Sequence, residues 1–255
     1  MPAQRKSRKR LDVLLVERGL AESRQKAQAM ILAGKVQVKG HSAVKPGTLL
    51  ESTVPLDVSP APRYVSRGGE KLAGALEDLQ LTVQGKLCLD VGACTGGFTD
   101  CLLQHGARQV FAVDVSIDQL DLRLRRDPRV HGVEANARNL SAKEIGAPVE
   151  LVTVDVSFIS AVKLLPALLS VAAPHAEFLI LVKPQFELGR GDVGRGGIVR
   201  DAALQEKAVA RVREAAEQLG LCVTAVVPSR LKGAEGNQEF FLFARRAADS
   251  LRVLE

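Results

Sequence analysis

The 255-residue sequence predicts an α/β protein: a seven-stranded, Rossmann-like sheet preceded by a small α+β module. Three observations carry that expectation. Strand-length apolar runs recur from Lys86 onward with helical stretches between most of them, the pattern of a mostly parallel sheet covered on both faces. A glycine-rich turn follows the first of those runs directly. The charge is also unevenly divided: residues 1–66 hold twelve Lys/Arg against five Asp/Glu, a net of +7, whereas the other 189 residues hold 23 basic and 24 acidic, a net of −1.

The front quarter has its own pattern. Leu11, Leu14, Leu15 and Arg18 follow helical spacing, and Gly19 ends that helix. Ser23 is an N-cap for a second helix with Ala27, Met30 and Ile31 on its buried side and Gly34 at its end. Val36 to Val38 alternates, Lys39 and Gly40 make a turn, and Leu49 to Val58 supplies further strand. The stretches Arg10 to Ala27 and Gly34 to Gly40 resemble the RNA-binding module of a small-subunit ribosomal protein. That resemblance implies that Arg10, Arg24, Lys26 and Lys35 present basic groups to folded RNA. Ser59 to Pro62 is a stiff, proline-rich break, which sets the expected domains at 1–62 and 63–255.

In the second part, strands are expected at Leu87–Val91, Gln109–Val115, Val130–Glu134, Glu150–Val156, Phe178–Val182, Leu221–Val227 and Glu239–Ala244. Helices are expected at Gly96–His105, Ile117–Arg126, Ala161–Val171 and Arg200–Leu219. The last two strands are joined by a short connection, Pro228 to Gln238, which makes them an antiparallel pair at the sheet edge.

Composition excludes several classes. Apolar residues form 46% of the chain, enough for a core. With no Trp, one Tyr and eight Phe, a binder that stacks many bases on aromatic rings is not expected. The four cysteines (Cys88, Cys94, Cys101, Cys222) form no C-x-x-C pair and have no nearby His at ligand spacing, so they read as reduced thiols and no metal site is expected. The basic start lacks the apolar stretch of a secretory signal, and no run approaches the ~18 apolar residues of a membrane helix. These features read as a cytoplasmic protein.

The first strand of the larger domain ends in Asp90-Val-Gly92-Ala-Cys94-Thr-Gly96-Gly97-Phe98. Glycines let backbone turn sharply and approach a ligand closely, and the helix that follows offers free N–H groups. The dinucleotide pattern G-x-G-x-x-G would need Gly at 94, which is Cys. The spacing D-x-G-x-x-x-G-G instead resembles the S-adenosylmethionine loop of class I methyltransferases. Asp114, 22 residues beyond Gly92 at the end of the second strand, is placed for ribose hydroxyls, and Asn136 after the third strand for the adenine side.

Three further strand ends carry residues costly to bury: Asp155, Lys183 and Glu239. A lone ionised group beside a sheet core costs several kcal/mol unless paired, so the three belong to one site, with Lys71 joining from a helix over the sheet's carboxyl edge. These four residues resemble the K-D-K-E tetrad of FtsJ-type ribose 2′-O-methyltransferases. The flanking segments 63–72, 90–100, 155–160, 181–187, 196–201 and 232–239 are together similar to the TlyA family, known both as hemolysins and as rRNA cytidine 2′-O-methyltransferases. Cys94, where Ser is more usual, and Tyr64, where Trp is more usual, depart from that pattern.

The resemblance implies methyl transfer from S-adenosylmethionine to a ribose 2′-OH of ribosomal RNA or a ribosomal subunit. For that chemistry Lys183 is the expected base with Lys71 as a neighbouring cation, Asp155 orients it and the methyl group, and Lys71 and Glu239 hold the ribose and tune the charge. Gly189 to Gly197, with five glycines and two arginines, is expected to be a loop over RNA, with Arg190 and Arg195 on phosphates. The competing readings are a pore-forming hemolysin, a non-catalytic RNA-binding assembly factor and a base methyltransferase. The absence of an N-P-P-Y-like segment or a catalytic Cys after the fourth strand counts against the last.

Overall fold

The computed structural model describes residues 8–39, 44–58, 62–189 and 191–246, with the side chain of Arg195 also outside the description. The chain divides into two compact units, residues 1–62 and 63–255.

The first unit opens with β1 (Arg8–Arg10), α1 (Leu11–Glu17) and α2 (Arg24–Leu32). The Ser23 hydroxyl accepts from the Lys26 N–H and caps α2, and its buried face carries Ala27 and Ile31 with Met30 beside them. Beyond them come β2 (Val36–Val38), β3 (Leu49–Glu51) and β4 (Leu56–Val58). The expected strand Leu49–Val58 is two strands in two different sheets: β3 pairs with β1 and β4 with β2, all antiparallel. The turn that separates them is closed by the Val54 N–H donating to the Glu51 carbonyl. The expected turn at Gly40, most of the linker and Arg190 lie outside the described residues.

Asp12 is fully buried in this unit. Its carboxylate accepts from Arg10 Nε and Nη2, both at 3.0 Å, from Arg24 Nε at 3.0 Å and from Gln28 Nε2 at 2.8 Å. The charges of Arg10 and Arg24 are therefore engaged with a buried anion, although both side chains remain about half exposed. Lys26 is exposed and Lys35 half-buried.

The second unit begins with α3 (Arg67–Asp78) and then alternates: β5 (Leu87–Val91), α4 (Gly97–Gln104), β6 (Gln109–Asp114), α5 (Leu122–Arg125), β7 (Val130–Glu134), α6 (Ala142–Ile145), β8 (Val149–Val154), α7 (Leu165–Val171), β9 (Ala172–Val182), α8 (Pro184–Glu187), α9 (Ala202–Gln218), β10 (Leu221–Pro228) and β11 (Phe240–Arg246). One seven-stranded sheet results, in the order β10-β11-β9-β8-β5-β6-β7. Strands β7, β6, β5, β8 and β9 are parallel; β11 lies antiparallel between β9 and β10.

Both faces are covered, and period-2 alternation assigns each residue to a face. On β9, Phe178, Ile180 and Val182 enter the core beneath α7 and α9, while Leu179 and Leu181 enter the one beneath α3 and α4. Three elements differ from expectation. The helix expected over Ile117–Arg126 is a 3₁₀ turn, Ile117–Gln119, then α5, because extended backbone at Leu120 and Asp121 divides them and the Asp121 carboxylate caps the second piece. The helix expected from Ala161 is a 3₁₀ turn followed by α7, where Pro166 sits in the first turn. Strand β9 starts six residues early, at Ala172. No helix among the described residues is long and apolar enough to cross a membrane.

The Asp12 network makes a testable demand. Asp12→Ala leaves two guanidinium groups and an amide without their shared acceptor and lowers the stability of the first unit by about 1–3 kcal/mol, read as lost amide-exchange protection over residues 8–39. Arg10 foremost, with Gln28 and Arg24, holds this carboxyl well below the usual range, against burial. Its contribution is complete above the unfolded carboxylate's pKa of about 3.9 and is lost as pH falls below it.

Candidate active site

The topology brings the charged residues to one place. Parallel strands present their carboxyl ends at a common edge, and the strand order reverses between β5 and β8, the usual position of a ligand crevice. Because β11 is antiparallel, its start lies at that same edge: Phe240 is paired with Val182. Glu239, just before β11, thus joins Asp155 after β8 and Lys183 after β9. Helix α3 supplies Lys71 from the adjoining face.

Two ion pairs result. Lys71 Nζ lies 2.5 Å from Glu239 Oε2, with Lys71 9% and Glu239 2% exposed. Lys183 Nζ lies 2.6 Å from Asp155 Oδ1, in an ion pair without an aligned hydrogen bond at that oxygen, and donates to Ser157 Oγ at 3.0 Å. Each buried lysine has its own carboxylate. The cation expected of Lys71 is thus paired with Glu239.

Two adjoining cavities meet at Gly92, Cys94, Asp155 and Ser157. One, of about 420 Å³, is walled by Gly92, Asp114 and Asn136 together with Val115, Ala137 and Ile159. Asp114 Oδ2 accepts from the Cys94 N–H at 2.9 Å, which ties the glycine loop to the end of β6. The other, of about 280 Å³, is lined by Lys71, Asp155 and Lys183, by Gly97 and Phe98, and by Arg67 and Lys232. Gly92 has φ +85°, and a Cβ there would overlap the Asp155 carbonyl oxygen, so only glycine lets the two loops meet.

Two expected cofactor contacts lie elsewhere. Asp90 shares a sheet face with Cys88, which directs its side chain under α4; it is fully buried and bonded to Thr99 Oγ1 at 2.6 Å and Thr153 Oγ1 at 3.4 Å. Gly96 (φ +93°) faces Leu120 and Leu124, where a side chain would collide. Both shape the loop from behind and line neither cavity. The sequence reading missed Ser157, Arg67, Lys232 and Phe158. Phe158 is 92% exposed, has φ +65°, and lies 5.3 Å from the Phe186 ring, an aromatic face beside the cleft in a chain poor in them. The segment Asp155-Val-Ser-Phe carried the only signal for it.

Burial pushes the Asp90 carboxyl up to about 7, with the charge of Asp155 adding and Thr99 opposing. Its folded pKa thus exceeds the unfolded value of about 3.9, so stability declines as pH rises between the two. Asp90→Asn keeps an acceptor for Thr99 but carries no charge. The variant's unfolding midpoint should lose that decline when melted at about pH 5 and about pH 8.

Known proteins resemble this chain over most of its length. Residues 64–246 match the family model described as FtsJ-like methyltransferase, and residues 9–53 match that of the S4 domain. The chain is 48% identical over 245 residues to the 16S/23S rRNA (cytidine-2′-O)-methyltransferase TlyA of Mycobacterium tuberculosis, covering 95% of this chain and 91% of that protein. It is 42% identical over 233 residues to Hemolysin A of Brachyspira hyodysenteriae, covering 91% and 97% respectively. A solved structure of a hemolysin-named protein from Streptococcus thermophilus is 37% identical and superposes with a TM-score of 0.72 over 95% of this chain and 90% of that one. The chain belongs to the FtsJ-like methyltransferase family, among its TlyA members, and carries an S4 domain in front of the catalytic fold.

Proposed function

We propose that this methyltransferase transfers the methyl group of S-adenosylmethionine to the ribose 2′-OH of a ribosomal RNA cytidine, the activity named for its Mycobacterium tuberculosis relative. The observation that carries the reading is the pair of buried Lys–carboxylate contacts opening onto a cavity beside the glycine loop. A ribose hydroxyl needs a proton acceptor, which a lysine amine beside the glycine loop can supply.

The larger cavity fits the cofactor. It is bounded by a glycine that no side chain could replace, an acid placed for ribose hydroxyls and the apolar walls of Val115, Ala137 and Ile159. S-adenosylmethionine bound there supplies an electrophilic methyl group on a sulfonium leaving group. Gly92, Asp114 and Asn136 line that cavity and hold it, Gly97 and Phe98 approach from the adjoining cavity, and Asp90 and Gly96 support the loop from behind.

Lys183, as the neutral amine, takes the proton from the 2′-OH. Asp155, 2.6 Å away, stabilises the ammonium so formed, and Ser157 fixes the amine's direction. Lys71 and Glu239, paired, hold the ribose from the side of α3 without adding net charge. Arg67 and Lys232 stand at the rim for the flanking phosphates, and Phe158 offers its ring to a base. The S4 domain brings the RNA through Lys26 and Lys35, together with the donors of Arg10 and Arg24 that Asp12 leaves unused.

Lys183→Ala should lower kcat by about 10²–10⁴-fold while calorimetry finds S-adenosylmethionine affinity within about threefold of wild type. A fully active variant excludes Lys183 as the base. Removal of residues 1–62 should weaken RNA binding and flatten its dependence on salt, measured by filter binding across a salt series, with cofactor affinity retained.

A further inference from the structure

Glu187 is the buried acid that the chemistry above leaves without a task. It ends α8, four residues after Lys183, and is 2% exposed. Its carboxylate reaches across to the loop after β8: the Ser160 hydroxyl donates to Oε2 at 2.5 Å and the Ala161 N–H donates to Oε1 at 2.7 Å. From the other side, the Arg211 guanidinium of α9 donates to the Glu187 backbone carbonyl at 2.6 Å.

These bonds complete a series. Segment 183–187 meets segment 155–161 at three successive places: Lys183 against Asp155 and Ser157, Phe186 against Phe158, and Glu187 against Ser160 and Ala161. The first contact holds the reacting groups, and the third is a more deeply buried anchor between the two segments. An acid so deeply buried is costly unless its acceptors are used, and both oxygens here receive donors. Burial raises the Glu187 carboxyl above its ordinary range, with Ser160 and Ala161 opposing.

We infer that Glu187 is a positioning residue for methyl transfer, locking the loop that carries Asp155 and Ser157 to the segment that carries Lys183. The inference rests on the activity proposed above. Without the carboxylate, Ser160 and Ala161 lose their acceptor and the two loops can part, so Lys183 no longer holds its distance to Asp155 and to the bound ribose.

The test is methyl transfer to ribosomal RNA by the full chain, with melting and cofactor calorimetry on each variant. Glu187→Ala should lower kcat by about 100-fold, since a displacement of about 1 Å costs that much, with KM for RNA within about threefold. Glu187→Gln, which still accepts from the Ala161 N–H and can donate to the Ser160 oxygen, should restore kcat to within about threefold of wild type. A folded Glu187→Ala enzyme with wild-type kcat, or one impaired only in KM, overturns the inference, as does a folded Gln variant as impaired as the Ala variant. If Glu187→Ala does not fold, Ser160→Ala takes its place: lowered kcat at unchanged KM supports the inference, and unchanged kcat overturns it. A wild-type chain that transfers no methyl to ribosomal RNA fails the activity itself and overturns both, which separates the two failures.

Discussion

Charge cannot remain at the dry edge of this sheet unless it is paired, and that constraint organises the larger unit. Transfer of an isolated ammonium or carboxylate into such surroundings costs several kcal/mol, and a partner must offset it. Four charged side chains meet this demand as two contacts, Lys71 with Glu239 and Lys183 with Asp155. The contacts in turn fix where α3, the loop after β8, the end of β9 and the start of β11 can lie. Four elements far apart in sequence are registered at one point by the need to neutralise one another. With Lys183 as the neutral amine the cluster carries one negative charge, that of Asp155, so the hydroxyl's proton, once taken up, forms an ammonium that already has its counter-ion.

The small unit solves a related problem differently. Asp12 is completely buried, and two arginines and a glutamine converge on it. A basic surface gains rigidity this way but surrenders part of its charge. Counting Lys and Arg along the sequence therefore overstates what is free to meet a phosphate. Arg18 is also committed, donating to the backbone carbonyls of Ser52 and Val54. Electrostatic attraction acts over the whole surface, yet a guanidinium already bonded to a buried carboxylate has fewer donors left for RNA.

The succession of strands along the chain and the strand ends that carry charge were legible because they follow from short-range rules. Apolar runs of strand length marked β5, β6, β7 and β8, and each costly residue placed at a strand end marked the site. What escaped the sequence depended on direction and on contacts between loops. Asp90 resembles a ligand-facing acid at the end of its strand, but alternation turns it under α4 toward Thr99. Gly96 looks identical to Gly92 in sequence, and only the proximity of Leu120 and Leu124 distinguishes a packing glycine from one in the cavity wall. Helix periodicity ran unbroken over Ile117–Arg126 because a single extended pair of residues, Leu120 and Asp121, does not disturb it. Ser157 and Glu187 carry no signal by themselves, since their significance lies in what sits across from them.

The register of β8 and β9 explains why such cross-loop bonds are needed at all. Val154 is paired with Ile180, so β9 runs on to Val182 after β8 has ended. Lys183 thus departs from the sheet beyond Asp155, and its side chain must return to reach that carboxylate. A lysine stem has four rotatable carbons and loses about 2 kcal/mol of rotamer entropy when fixed, a cost that one ion pair with an exposed loop could not reliably offset. Holding the loop itself removes part of that burden: once Ser160 and Ala161 are bonded to Glu187, and Phe158 rests on Phe186, only the lysine remains to be ordered. The buried acid outside the catalytic set is thereby as much a consequence of strand length as Lys183 itself.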